Sequence, residues 1–199
     1  FDLLKIGVKA QRIGRDQHRG AVLTFVVDTS GSMNTEDRLG LIRSSLRMLV
    51  DRLAPEDLVA IVTFNNRASL ALEPTPAAQK DAILAVIANL ETAGSTQLEG
   101  GLRLGYEVAA RAFRSGASNR VILMSDGVAN LGAADSEAIL RAVEEHRKQG
   151  IYCTVLGFGT GTYDDTMLES LANKGDGTYV YIDSIDEAKR VRAASAKYG

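Results

Sequence analysis

Apolar runs and helical patterns alternate along this chain of 199 residues. Short apolar runs rich in β-branched residues predict five strands, at residues 21–27, 58–64, 120–124, 151–158 and 178–182. The first of these runs is continuously apolar, which is typical of a strand covered on both faces, as in a parallel sheet. In such a sheet, ligands bind at the carboxyl ends of the central strands, so candidate site residues are expected there.

Helices are predicted between the strands, because apolar residues recur there at spacings of three and four. The apolar positions are Leu39, Ile42, Leu46, Leu49 and Leu53, then Ile83, Ile87 and Leu90, then Ile139, Leu140 and Val143, and finally Leu168 and Leu171. A further helix is predicted over residues 98–113, which carry Gly100, Gly101 and Gly105. Each such glycine costs up to about 1 kcal/mol relative to alanine, so we expect close packing of this helix on the sheet.

Residues 68–72 follow the turn signal Asn65-Asn66 and precede Glu73-Pro74, which predicts a short antiparallel edge strand beside residues 58–64. The predicted fold is therefore α/β and Rossmann-like, with an open, mainly parallel sheet, one short antiparallel edge strand and helices on both faces. Residues 20–199 are expected to form this domain. Residues 1–19, with a possible strand at 5–9, are expected to connect it to a longer parent chain, since no initiator Met is present.

The composition argues against several classes of function. The net charge of −2 provides no basic field for nucleic acid, and Trp is absent. No run approaches the roughly 20 apolar residues that a membrane span needs. Cys153 is the only cysteine, so neither an internal disulfide nor a cysteine-based zinc site can form, and we expect a buried, inert thiol.

Oxygen-bearing side chains follow two of the predicted strands. The first strand leads into Asp28, Ser30 and Ser32, which alternate so that an extended backbone would point them the same way, and Gly31 permits a tight turn. Asp126 follows the strand at 120–124, and Thr96 precedes the glycine-containing helix. Carboxylates and hydroxyls are the donors that a hard cation prefers.

Together these segments resemble the metal-ion-dependent adhesion site (MIDAS) of von Willebrand factor type A (vWA) domains. The likeness rests on DxSxS at 28–32, the threonine of GST at 94–96 and the aspartate of SDG at 126, and it is nearest to bacterial members. It covers roughly residues 20–195. The resemblance implies an Mg²⁺ site, with Mn²⁺ or Ca²⁺ as alternatives, and a partner protein that supplies an Asp or Glu.

The resemblance also implies individual roles. Ser30 and Ser32 would bind the ion directly, Thr96 would bind it directly in the ligand-engaged state, and Asp28 and Asp126 would act mainly through waters. Two carboxylates balance one divalent ion, so the loaded site is expected to be near neutral. The likeness favours a location in the cell envelope or outside the cell, with the cytoplasm as the alternative, because intracellular family members also exist. The residues at the rim of the partner-binding surface are not predicted.

Two alternatives remain beside this non-enzymatic interaction module: a magnesium-dependent hydrolase and a domain whose metal only stabilises the fold. A serine nucleophile needs a histidine. His18 lies in the connector, and His146 lies among charged residues on an expected solvated helix face. Gly157, Gly159 and Gly161 do not have the spacing of a dinucleotide-binding loop, so we expect a structural turn there.

Overall fold

The computed structural model of the chain describes residues 20–127, 133–159 and 166–184. The strands are Ala21–Asp28 (β1), Leu58–Phe64 (β2), Ala68–Pro76 (β3), Ser118–Ser125 (β4), Ile151–Phe158 (β5) and Tyr179–Ile182 (β6). The helices are Arg38–Val50 (α1), Lys80–Ala88 (α2), Leu98–Arg111 (α3), Ala133–Lys148 (α4) and Thr166–Lys174 (α5). The predicted connector, with the strand at 5–9, lies outside the described residues.

The strands form one sheet in the order β3-β2-β1-β4-β5-β6. All neighbours are parallel except β2 and β3, which are antiparallel. After β1 the chain moves first to one side, through β2, and later to the other side, through β4. The strand order therefore reverses between β1 and β4, and the carboxyl ends of these two strands lie side by side.

Helices cover both faces of the sheet, which confirms the predicted α/β architecture. On one face, α3, α4 and α5 pack on a core that includes Val26, Val121 and Val155. On the other face, α1 and α2 pack on a core that includes Phe25 and Ile61. Adjacent residues of β1 thus enter opposite cores, which is why this strand is apolar at nearly every position.

The antiparallel edge strand is longer than the sequence predicts. The sequence predicts an end before Glu73-Pro74, yet β3 continues to Pro76. Its pairing with β2 is irregular around Ile61, where the register shifts. Proline is tolerated there because an edge strand has backbone groups that need not pair within the sheet.

The close packing predicted for the glycine-containing helix is confirmed at two of its three glycines. A Cβ atom on Gly101 would lie 2.6 Å from Phe64 Cγ, and one on Gly105 would lie 2.3 Å from Val26 Cγ2. A Cβ on Gly100 would instead meet Gln97, at 3.2 Å from its Oε1 atom. Only Gly101 and Gly105 allow α3 to lie directly against the sheet.

Candidate functional site

Asp28, the last residue of β1, is fully buried and held by two hydrogen bonds. Its Oδ1 atom accepts from the backbone N–H of Ser30 at 2.9 Å, and its Oδ2 atom accepts from the Ser125 hydroxyl at 2.7 Å. Ser125 ends β4, so this second bond joins the carboxyl ends of the two strands at which the sheet order reverses. The orientation of the carboxylate is consequently fixed from both strands.

Ser30 and Ser32 are brought together just beyond β1. Ser30 is extended, and a 3-10 turn over Gly31–Asp37 begins directly after it, so the predicted alternation of side chains persists only through Ser30. The two hydroxyl oxygens nevertheless lie 3.1 Å apart. Ser30 is buried, whereas Ser32 is half-buried and closer to solvent. Helix α1 begins at Arg38, directly after this turn.

The loop that contains Thr96 is joined to the serine turn through the backbone. Gly31 N–H donates to Gly94 O at 2.9 Å, and Ala93 N–H donates to Thr29 O at 2.8 Å. A side chain at Gly31 would approach Gly94 O within 3.2 Å, so the glycine permits this contact. Thr96 is half-buried two residues after this junction.

Two asparagines of the β2–β3 turn hold the same loop, one through its side chain and one through its backbone. The side-chain Oδ1 atom of Asn66 accepts from the Ser95 hydroxyl at 2.8 Å, and the backbone carbonyl of Asn65 accepts from Gln97 N–H at 2.8 Å. The turn signal in the sequence therefore has a second role, because these two residues also position the segment that carries Thr96.

Asp126 follows β4 and is buried in an ion pair with Arg38, the first residue of α1. Arg38 Nη1 donates to Asp126 Oδ2 at 2.7 Å, and the side chains are 5% and 0% exposed. The ion pair brings helix α1 to the same sheet edge. It also adds a basic group to a site in which the sequence motif contains two acidic groups.

Burial raises the pKa of Asp28 above its ordinary value. The hydrogen bonds from Ser30 and Ser125 favour the charged form and oppose this rise, whereas the nearby charge of Asp126 adds to it. A buried carboxylate of this kind is stabilised by a cation close to it.

The donor set suits a hard cation of small radius. Two ligands bound to Mg²⁺ at about 2.1 Å and at right angles are about 3.0 Å apart, close to the spacing of the two serine hydroxyls. Within residues 20–127, 133–159 and 166–184, no group of three or more His, Cys, Asp or Glu side chains is placed to hold a metal. A cation here would therefore depend on serine and threonine hydroxyls together with the two aspartates.

A family model described as von Willebrand factor type A domain matches residues 23–193. The chain belongs to this family. Its members have a fold that is often used in adhesion and in protein–protein interaction.

Three similar proteins illustrate the range of vWA domains. The uncharacterized protein YfbK of Escherichia coli strain K12 is 37% identical over 189 residues, which are 95% of this chain and 33% of that protein. The pilus adhesin SpaC of Lactobacillus rhamnosus GG, in its open conformation, has a TM-score of 0.72 at 19% identity over 96% of this chain and 31% of that one. Proximal thread matrix protein 1 from the mussel byssus, solved with a zinc-occupied MIDAS motif, has a TM-score of 0.71 at 24% identity over 92% of this chain and 46% of that one.

The two structural likenesses, both below 25% identity, establish the fold alone. The chain spans 33% and 43% of the length of the first two curated relatives, from Escherichia coli and Synechocystis. Among the helices of this vWA domain that the structure describes, none combines the length and apolar character needed to cross a membrane.

Sequence reasoning did not find every residue of the site. Ser125 was visible in the SDG motif, but its bond to Asp28 depends on the neighbouring positions of β1 and β4. Arg38 carries no sequence signal, because an arginine at the start of an amphipathic helix is normally solvated.

The placement of His146 also differs from the expectation of a solvated face. Its ring is half-buried and stacks on Tyr106, with the ring centroids 4.3 Å apart. Burial lowers the pKa of His146 below its ordinary value. Tyr106 lies in the second half of α3, while the site lies beside the start of that helix, so His146 is not at the serine turn.

Proposed function

We propose that this vWA domain is a divalent-cation-dependent protein-binding module. A cation held by Asp28, Ser30, Ser32, Thr96 and Asp126 would accept an Asp or Glu carboxylate of a partner protein as a further ligand. The observation that carries the proposal is the 3.1 Å pair of serine hydroxyls beside the doubly hydrogen-bonded Asp28. Neutral hydroxyls leave a bound cation electrophilic, so it retains affinity for an external anion.

In this proposal Ser30 and Ser32 contact the ion directly, and Asp28 and Asp126 act through waters. Thr96 binds directly when a partner carboxylate is engaged. Mg²⁺ is the expected ion, and Mn²⁺ and Ca²⁺ are alternatives with the same preference for oxygen donors. The zinc-occupied motif of the mussel protein adds Zn²⁺ to the ions that need testing.

Thermal unfolding with each ion and with chelator tests metal binding. An ion at 100 times its Kd stabilises the folded state by about 2.7 kcal/mol, which raises Tm by roughly 5–11 °C for a chain of this size. Asp28→Asn should remove this rise.

Asp57→Asn is the matched control, because Asp57 is equally buried but lies at the amino edge of the sheet. There its carboxylate accepts from the backbone N–H of Ala21 at 2.7 Å and of Ala54 at 2.8 Å. This variant should be destabilised yet keep the full response to Mg²⁺. A full response in Asp28→Asn would show that the ion binds elsewhere.

Acetate, as the minimal carboxylate, tests the partner chemistry, with neutral acetamide as its isosteric control. NMR titration of the Mg²⁺-loaded domain should shift the backbone amides of Gly31 and Gly127 with acetate, and not with acetamide or in the presence of chelator. Stabilisation by Mg²⁺ without any acetate effect would instead indicate a metal that only supports the fold.

We further propose that the domain itself catalyses no reaction. The stacking of His146 on Tyr106, away from the serine turn, supports this view for the histidine in the described part of the chain. Turnover of generic ester or phosphate substrates that requires Mg²⁺ and vanishes in Ser30→Ala would establish the hydrolase alternative.

A further inference from the structure

Arg38 is a buried cation among the acidic groups of the proposed metal site. Its guanidinium lies 2.7 Å from Asp126, and both side chains are excluded from solvent. The two residues are 88 positions apart in the chain, so the pair forms only when α1 docks against the end of β4. A buried charge of this kind is costly unless it is compensated, and each member here compensates the other.

Local backbone geometry brings Arg38 to this position. Asp37, which ends the 3-10 turn, has φ 52°, a left-handed conformation that redirects the chain before α1 begins. The guanidinium also lies against Gly159, just beyond β5. A Cβ atom at Gly159 would be 3.0 Å from Arg38 Nε, so a glycine there makes room for the arginine. Segments after β1, β4 and β5 thus converge on one guanidinium.

The charge balance differs from that of the two aspartates alone. Asp28 and Asp126 carry one negative charge each, and Arg38 carries one positive charge, which leaves a net charge of −1 for these three buried groups. A divalent ion brings the set to +1, rather than the near-neutral value expected from the sequence. A net positive charge on this set of groups attracts an anion, and a carboxylate restores the neutrality of the set.

We infer that Arg38 is a specificity-determining residue. Its positive charge weakens the affinity of the partner-free site for a divalent cation, and it makes the cation-bound site a receptor for anionic ligands. This inference rests on the proposed function. It assigns Arg38 a role beyond holding α1 in place, because a structural ion pair would affect folding without setting the anion preference.

Charge removal at position 38 tests the inference. Arg38→Gln keeps an N–H donor near Asp126 but carries no charge, and Arg38→Lys keeps the charge. We expect Arg38→Gln to bind Mg²⁺ at least tenfold more tightly, by isothermal titration, and its Mg²⁺-loaded form to bind acetate at least tenfold more weakly. Arg38→Lys should remain within threefold of the wild type in both measurements.

Arg47→Met is the control for general electrostatics. Arg47 is exposed on the same helix, about 13.5 Å further along its axis. Its removal deletes the same unit charge and should leave both affinities unchanged. Affinities of Arg38→Gln that equal those of the wild type, or weaker Mg²⁺ binding in that variant, would overturn the inference.

Two further outcomes are distinguishable. If Arg38→Gln is unfolded without metal, recovery of cooperative unfolding on Mg²⁺ titration supports the inference. The ion then neutralises the carboxylates of Asp28 and Asp126, which Arg38 no longer balances. A variant that stays unfolded at saturating Mg²⁺ overturns it. Failure of the wild type itself to bind any of Mg²⁺, Mn²⁺, Ca²⁺ and Zn²⁺ refutes the proposed function, whereas metal binding that is indifferent to the charge at position 38 refutes only the inference.

Discussion

Alanine substitutions in α3 test how this helix packs on the sheet, because the expected change in the free energy of unfolding differs in sign between its glycines. Gly101 and Gly105 are one turn apart and face the same side. A Cβ at Gly105 would be 2.3 Å from Val26 Cγ2, and one at Gly101 would be 2.6 Å from Phe64 Cγ. Carbon atoms normally approach to about 3.5–4.0 Å, so each substitution creates an overlap of about 1 Å with a fully buried side chain.

The magnitude follows from two opposing terms. Alanine raises helix propensity by about 1 kcal/mol over glycine, whereas overpacking a core costs about 1–3 kcal/mol. With overlaps of this size the cost lies near the upper end, so the free energy of unfolding of Gly101→Ala or Gly105→Ala should fall by about 2 kcal/mol. Gly100→Ala meets only the flexible end of the exposed Gln97, and should gain up to about 1 kcal/mol.

Urea denaturation followed by far-UV circular dichroism measures these differences, because the chain has no Trp to serve as a fluorescent probe. Gly100→Ala is the matched control, with the same chemical change on the same helix. The packing argument would be refuted if Gly105→Ala were as stable as Gly100→Ala.

Two further predictions concern buried polar groups. Ser125→Ala removes the 2.7 Å donor to Asp28 and should cost about 1–3 kcal/mol in stability, measured by the same urea assay. It should also weaken Mg²⁺ binding by 10–100-fold in isothermal titration, and an unchanged affinity would contradict a positioning role. Burial raises the pKa of Cys153 to about 11, so its thiol should resist iodoacetamide at pH 8 in the folded protein and react in urea. Because the folded pKa exceeds the unfolded one, stability contributed by the neutral thiol should be lost as pH rises from about 9 to 11, as chemical denaturation across that interval can check.

The order and type of the secondary-structure elements follow from local sequence patterns. Continuous apolar runs such as that of β1, and the stripe from Leu39 to Leu49, encode strand and helix through periodicities that each segment carries locally. The oxygen-bearing motif at 28–32 was equally visible, because three of its donors lie within five residues. The unfavourable helix propensity of glycine indicated close packing of α3. The sequence did not show that Gly101 and Gly105 contact the sheet whereas Gly100 does not.

The groups that meet at the sheet edge are set by tertiary packing and are not visible in local patterns. The bond from Ser125 to Asp28 depends on β1 and β4 being neighbours, and the pair of Arg38 with Asp126 depends on how α1 docks. The stacking of His146 on Tyr106 depends likewise on the contact between α4 and α3. These interactions join residues 40 to 97 positions apart. Local patterns constrain backbone conformation over a few residues, whereas the partner of a buried charge is set by the packing of distant segments.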